Sequence, residues 1–305
     1  MANSLSNLNK VVQESFLVGL AESTAEYARC GKVWTGDGAT KQLMGVNAGG
    51  IATEITGATS SVTPADMTAG LSSITQRMFV LHHKLPQQHA DLLDSDTLAN
   101  VGTQLANAAA QNINKLFFDG LEGLFALAHP MAGAGAGQVG AGKKFIDTGL
   151  AFLQGEAGAG TQANLLTAAL SESSLDAAKQ LLRGYKNQRG LPMNMSAGNR
   201  NVLVVSPANE KIAQQLIRSG VTSDQMQINT FQGFADICVF PLTTDADDWW
   251  LIDTMYSPVG IWVGMAPQIT VTPSDDQVFW LFTAKFNAAF AVQSHEDGIV
   301  GSNVP

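Results

Sequence analysis

Charge is what this sequence has least of for its size. Lys, Arg, Asp and Glu make up 14% of its 305 residues, where a soluble domain typically carries about 25%. Gly, Ala, Ser, Thr, Asn and Gln take their place. A freestanding monomer keeps itself dissolved with Lys and Glu on its outside. A subunit pressed against neighbours needs fewer of them, because interface cores are depleted of charge. An ordinary low-charge globule satisfies the same number, so composition alone leaves both readings open. Positive charge is scarcer still, with 17 basic against 26 acidic residues and a formal net charge of −9. Affinity for DNA comes mainly from Lys and Arg neutralising phosphates. The balance argues against sequence-specific reading of nucleic acid, yet suits a wall that encloses it without gripping it.

Cysteine is almost absent. Cys30 and Cys238 make neither a metal-ligand spacing nor a disulfide framework, and both are expected to stay reduced in a cytosol. No apolar run approaches the ~20 residues that would span a bilayer. The opening MANSLSNLNK is polar and lacks the apolar core of a secretory signal. These absences predict a protein made in soluble form in the cytoplasm, with no membrane partner.

Catalytic signatures are missing or broken. There is no G-x-S-x-G and no H-E-x-x-H. Gly135-Ala-Gly137-Gln-Val-Gly140 spells the dinucleotide pattern but sits in the low-complexity run MAGAGAGQVGAGKK, without the strand and helix that the chemistry requires. Gly137 to Gly142-Lys143 imitates a P-loop, but Lys144 stands where a Ser or Thr must hold magnesium. His82, His83 and His89 lie near Asp91, Asp94 and Asp96, but adjacent histidines on a strand point to opposite faces and cannot simply share one ion, so they read as surface histidines before a capped helix. His129 and His295 have no nucleophile or base partner at a suggestive spacing. No catalytic, cofactor-binding or metal-ligating residue is assigned, and no cofactor is expected.

What is present is a sequence of contrasting textures. Val11, Val12, Phe16, Leu17 and Leu20 share one helical face, continuing weakly to Tyr27. From Thr35 to Ser73 the chain is rich in Gly and Thr and poor in large apolar groups, with short β-like pieces at Lys41 to Val46 and Ile51 to Ile55. A strand from Thr75 to Leu85 follows, stopped by Pro86. A two-stranded ribbon of this kind is marginal in water on its own, so it must lie on something else or be a surface loop. A long helix, 94–118, begins at the capping residues Asp94, Ser95 and Asp96. Leu98, Val101, Leu105, Ala109, Ile113 and Leu116 form its stripe, Gly120 is its expected stop, and its length is roughly 35 Å.

Beyond the Gly/Ala connector, a second helix is expected near Ser173, with Ser173 and Asp176 as a capping box. Its buried face is Leu175, Ala178, Leu182 and Tyr185, and Gly190 closes it. A strand, Val202 to Val205, leads to a third helix with Ser206 as N-cap and Pro207 in its first position. Ile212, Leu216 and Ile217 point inward there and Gly220 ends it. Strands are expected at Ala235–Leu242, Trp249–Asp253, Gly260–Gly264 and Gln268–Val271. The clearest pattern is the last. Every even position from Val278 to Val292 is apolar, while Thr283, Lys285 and Asn287 lie between, which predicts a strand of about 50 Å. Charge is segregated as well. Seven of the 17 basic residues (Lys179, Arg183, Lys186, Arg189, Arg200, Lys211, Arg218) fall in one short region, and Lys285 is the only cation after it. Opposite-sign surfaces on one subunit suit head-to-tail contact around a ring, although two ordinary solvated faces give the same counts.

The order of these parts resembles the Hong Kong 97 capsid fold of tailed-bacteriophage major capsid proteins, with a texture similar to the Mu-like major head subunit family. The resemblance is carried by FFDGLEGLFALAHP (Phe117 to Pro130), GLPMNMSAGNRNVLVVSPANEKIAQQLI (Gly190 to Ile217) and ADICVFPLTTDADDWWLID (Ala235 to Asp253). It implies an α+β architecture: an N-terminal arm at 1–34, an extended β-hairpin loop at 35–86 and a peripheral domain at 87–190 with the spine helix 94–118. An axial domain would follow at 191–265, and 266–305 would return to the peripheral domain with the long strand 278–292. The implied function is that of a non-enzymatic shell subunit in the virion, self-assembling into hexamers and pentamers around the genome. Scaffold and portal proteins, and a decoration or cement protein, are the implied partners. The alternatives are an encapsulin-like protein cage, a tail-tube component, and a nucleotide-binding enzyme using Gly135–Lys143.

Overall fold

The computed structural model describes residues 2–36, 40–47, 68–86, 95–129, 142–152, 160–186, 192–193, 195–196, 200–220, 229–241, 243–274, 278–293 and 298–304. Two mixed sheets organise them, one on each side of a single long helix.

The first sheet is built on the alternating C-terminal segment. This strand, β12 (Phe279–Val292), lies between β11 (Val259–Pro273) and β4 (Arg77–Pro86), with β1 (Lys32–Thr35) added in parallel outside β11. Phe282, Ala284, Phe286, Ala288 and Val292 are buried, whereas Lys285 is exposed and Asn287 half-buried. The even face is covered by α1 (Ala2–Glu22) and α3 (Ser95–Gly123), through Val12, Phe16, Leu105 and Phe117. Alternation therefore reports a sheet with one covered face. It breaks down toward the far end, where Ala289 and Ala291 are buried by Trp262, Trp34 and Ile74 on the opposite face. The expected strands Gly260–Gly264 and Gln268–Val271 are one strand in the structure. Two register shifts, Val263/Met265 and Met265/Gln268, absorb Pro267. Each inserts one residue, so Ile261 and Ile269 both face the core.

Helix α3 runs five residues past the expected end of 94–118. Gly120 is not a stop. It lies inside the helix, where an added β-carbon would fall on the ring of Phe290. A second glycine, Gly102, lets α1 close onto α3, since a β-carbon there would approach the Val12 carbonyl to 2.6 Å. Both were selected for contact and not for helix termination. In α1, Val12 and Phe16 are buried as expected, but Leu17 is 64% exposed and does not share their face. The helix ends at Glu22, and Tyr27 belongs to a separate short helix, α2 (Glu26–Cys30).

The second sheet has the order β7 (Leu165–Leu166), β13 (Ile299–Ser302), β10 (Trp249–Asp253), β8 (Asn201–Val205) and β9 (Ala235–Val239). Every residue of β8, β10 and β13 is buried. Leu203, Val205, Trp249, Leu251 and Val300 pack beneath α4 (Glu172–Gly184) and α5 (Glu210–Arg218). Val202, Val204, Trp250 and Ile252 face the core that Phe117, Phe118 and Leu121 of α3 share with the first sheet. Cover on both sides explains why NVLVV and WWLID are nearly continuous apolar runs. A small hairpin, β5 (Leu150–Phe152) with β6 (Gly160–Gln162), precedes it. β11 passes through position 265 without a break, and β13 carries the chain back into the second sheet.

Helix ends differ from the sequence reading in several places. The capping box of α4 is Ser171 with Ser174, two residues before the expected pair. Asp176 instead accepts a hydrogen bond from Gln180 at 2.6 Å. The helix closes at Gly184, not Gly190, which lies outside the described residues. Ser206 does not cap α5: its hydroxyl donates to the Ala246 carbonyl, and Asn209 precedes the first helical residue. Ile212 is 38% exposed and does not point inward. The helix ends at Arg218, before Gly220, and Asn229 Nδ2 donates to the Leu216 and Ser219 carbonyls at 2.6 and 2.8 Å. Strand β9 stops at Val239, short of Leu242. The Ile51 to Ile55 segment lies outside the described residues.

Candidate assembly surfaces

The Gly/Thr-rich segment forms a ribbon of two eight-residue strands, β2 (Thr40–Asn47) and β3 (Thr68–Thr75), paired from Thr40↔Thr75 to Asn47↔Thr68. It connects through Gln76 to β4, the edge of the first sheet. Its root is held by Ile74, buried against Trp262 and Trp34. Beside that root, Met78 and Val80 on β4 are 65% and 40% exposed. An edge strand offers unpaired backbone donors and acceptors, and an apolar edge invites pairing with another chain. Arg77 and Lys84, both exposed, limit that tendency along the strand.

The second sheet with its two helices has charged ends of opposite sign. Glu210 starts α5, and Ser206 and Asn209 beside it donate to the carbonyls of Ala246 and Asp247. Asp245, Asp247 and Asp248 are therefore at the end where β8 finishes and β10 begins. Glu122 at the end of α3 closes on the same loop, accepting from the Thr244 amide at 2.7 Å. The start of α4 lies there too, because Ala168, four residues before Glu172, accepts from Trp249 Nε1 and Ser302 Oγ. Asp248 is buried and accepts from the Val304 amide at 3.0 Å. Burial pushes its carboxyl up to about 6, with the neighbouring acids Asp245, Glu122 and Asp247 adding to the rise against the Val304 N–H.

At the opposite end, Arg183 and Arg218 stand in the last turns of α4 and α5, and Arg200 precedes β8. All three are exposed. Lys179, one turn back on α4, lies over the rings of Phe231 and Phe234 at 4.9 and 4.8 Å. The one carboxylate buried here, Asp253, is committed to the amides of Ser196 and Met255 at 2.7 and 3.0 Å.

The residues that imitate catalytic motifs are placed differently. Lys143 pairs with Asp147 at 3.9 Å, and Lys144 bridges to Ala128. Burial raises the Asp147 carboxyl, but the amides of Lys144 and Gly149 and the Lys143 ammonium outweigh it and hold the group low. No helix follows Gly142-Lys143: the chain makes bends and then β5. A P-loop needs a helix N-terminus at that point, so the nucleotide-binding alternative loses its structural basis. His82 is hydrogen-bonded with Thr283 at 3.1 Å on the outer face of the first sheet. His129 is buried and stacked on Phe145 at 5.6 Å. His89, Asp91, Asp94 and His295 lie outside the described residues. Among the described residues no group of three His, Cys, Asp or Glu could hold a metal, and no helix is long and apolar enough to cross a membrane.

The fold brings Cys30 and Cys238 together in the shared core, a contact that spacing alone gave no sign of. Both are free and buried. The Cys30 thiol is raised well above its ordinary range by its hydrogen bond with Cys238, then by burial and the Glu26 carboxylate, with Arg29 opposing. Cys238 Sγ donates to Glu26 Oε2 at 3.5 Å. A thiol kept protonated, as Cys30 is, makes a poor nucleophile.

A family model described as phage capsid protein matches residues 87–301. No curated protein sequence matches the chain. Solved structures resemble it over nearly the whole length. The mature capsid of bacteriophage PhiM1 shares 13% identity with a TM-score of 0.57, covering 93% of this chain and 87% of that one. The procapsid of bacteriophage JBD30 shares 15% with a TM-score of 0.54, covering 100% and 76%. A virus-like particle from Pyrococcus furiosus shares 8% with a TM-score of 0.51, covering 97% and 99%.

Proposed function

The chain belongs to the phage capsid protein family and has the α+β Hong Kong 97-type fold, and from that premise we propose that it assembles into the hexamers and pentamers of an icosahedral head enclosing the viral genome. Its role is structural and its place is the virion capsid. The observation that carries the assembly reading is the ribbon β2–β3, rooted at Ile74 beside the apolar edge residues Met78 and Val80. A paired ribbon of that size gains most of its stability from a surface it lies on, and a neighbouring copy supplies one.

In this reading, residues 1–34 are the arm and 35–86 the extended loop reaching over a neighbour. The peripheral domain spans 87–190 with the spine α3, and the axial domain 191–265 faces the capsomer centre. The stretch 266–305 returns to the peripheral domain through β12. We read α4 and β13 as part of the axial unit as well, because β13 pairs with β10 and α4 packs on the same sheet. Within the family we read the chain as nearest the Mu-like subunits, from the stretches Phe117 to Pro130, Gly190 to Ile217 and Ala235 to Asp253. Scaffold and portal proteins are its expected partners in assembly, and a decoration protein could bind outside.

The likeness to the virus-like particle keeps a second reading in view, a cage for protein cargo. Full-length chain expressed with and without its scaffold, examined by sedimentation velocity and electron microscopy, tests both. Closed shells are expected. Chain that stays monomeric under every condition overturns the shell reading, and native particles containing protein cargo and no nucleic acid favour the cage.

A further inference from the structure

We infer that neighbouring subunits of one capsomer are joined head to tail by charge, the Arg183/Arg200/Arg218 end of one second-sheet unit meeting the Asp245/Asp247/Glu210 end of the next. The inference rests on the shell reading and names the contact within it.

The argument begins with direction. α5 runs from the end of the sheet where β10 begins to the end where β8 begins, as the hydrogen bonds of Asn209 to Ala246 and Asp247 and of Asn229 to Leu216 and Ser219 fix. α4 runs the same way, from Ala168 beside Trp249 and Ser302 toward Lys179 over Phe231 and Phe234. Glu172 and Glu210 stand in their first turns and Arg183 and Arg218 in their last. Acids at helix starts and bases at helix ends are individually favourable with the helix dipole. Two parallel helices on one face therefore add their polarity. The loop then strengthens one end with Asp245, Asp247 and Asp248, to which α3 contributes Glu122. Arg200 and Lys186 strengthen the other.

Among the described residues each end also carries opposing charge, exposed Lys211 in the first turn of α5 at one and exposed Asp236 on β9 with buried Asp253 at the other, fewer than the charges they oppose. The ion pairs of Lys10, Arg29, Lys115 and Lys143 each join an acid near in sequence. In a folded single copy the two ends are separated by the length of the sheet. A second copy is the partner whose matching charges come in the same number and geometry. A contact between two different patches of one chain is heterologous and generates a ring when the rotation closes.

The test uses charge exchange in the full-length chain. Arg183→Glu/Arg218→Glu reverses one end and Asp245→Lys/Asp247→Lys the other, all at exposed side chains. Either reversal alone should raise the concentration needed for half-assembly by at least about tenfold at ~0.1 M salt, with thermal unfolding unchanged. The chain carrying both reversals should assemble again. Arg183→Gln/Arg218→Gln, which only neutralises, should show a smaller rise and replaces the reversal if that variant does not fold. Parent-like assembly of both single reversals overturns the contact while leaving the shell reading standing. Failure of the doubly reversed chain, with folded subunits, shows that these ends do not face each other. A parent chain that never assembles removes the shell reading, and this contact with it.

Discussion

The two sheets bury comparable side chains by opposite strategies. The first is long, antiparallel in its main pairs and covered by helices on one face, with Lys285, Lys84 and Thr270 left in solvent. The second is short, mixed in direction and covered on both faces, so that all of NVLVV and WWLID is inside. The difference predicts where each tolerates change. A sheet with a free face has room for contacts with another molecule, while a doubly covered one has only its ends to offer.

The comparison is broken most severely if the second sheet tolerates truncation. Trp250 is fully buried, stacked on Phe125 at 5.7 Å, in the core shared with α3. Trp250→Ala should cost about 3–5 kcal/mol, read as a lowered urea midpoint. A loss below ~1 kcal/mol would mean that the doubly covered sheet is not the stability centre. Overpacking at the spine should come next. Gly120→Ala places a methyl group on the Phe290 ring and should cost about 1–3 kcal/mol, whereas an uncrowded glycine inside a helix would gain from the change.

Charge at the acidic end gives the third effect, and its sign follows from burial. Asp248 titrates near 6 in the folded protein against an ordinary 3.8. This group thus favours the folded state fully below pH 3.8, and the advantage is lost as pH rises through 6. Asp248→Asn keeps an oxygen for the Val304 amide and should stabilise the subunit at pH 7 by roughly 1–2 kcal/mol, with the gain disappearing by pH 4. A gain independent of pH would assign it to packing. The smallest effect is expected on the free face of the first sheet. Met78→Ser with Val80→Thr should leave the isolated subunit within about 0.5 kcal/mol of the parent while lowering assembly yield. Reduced subunit stability with unchanged assembly would make that edge ordinary surface.

Much of this architecture was legible because local periodicity records which face of an element is covered. The even positions of β12 and the Leu98-to-Leu116 stripe of α3 each report one covered side, and WWLID reports two. Helix ends were less legible. Gly120 and Gly190 looked like stops because glycine commonly ends helices, yet Gly120 answers to a phenylalanine 170 residues away in sequence. Ser206 looked like a cap, but its hydroxyl is engaged by Ala246, a partner that no local pattern reveals. The P-loop spelling failed for a related reason: the letters were present without the helix that gives them chemistry.

What the chain's order of residues determined by itself is the type of each long element and the uneven distribution of charge. Only the tertiary structure decided that the two cysteines meet, that Leu17 and Ile212 face solvent, and that acids and bases scattered over a hundred residues gather at opposite ends of one unit. Periodicity is a property of neighbours along the chain, and packing carries it faithfully. Proximity between distant segments is set by how the sheets and helices stack, and no stretch of sequence contains that information alone.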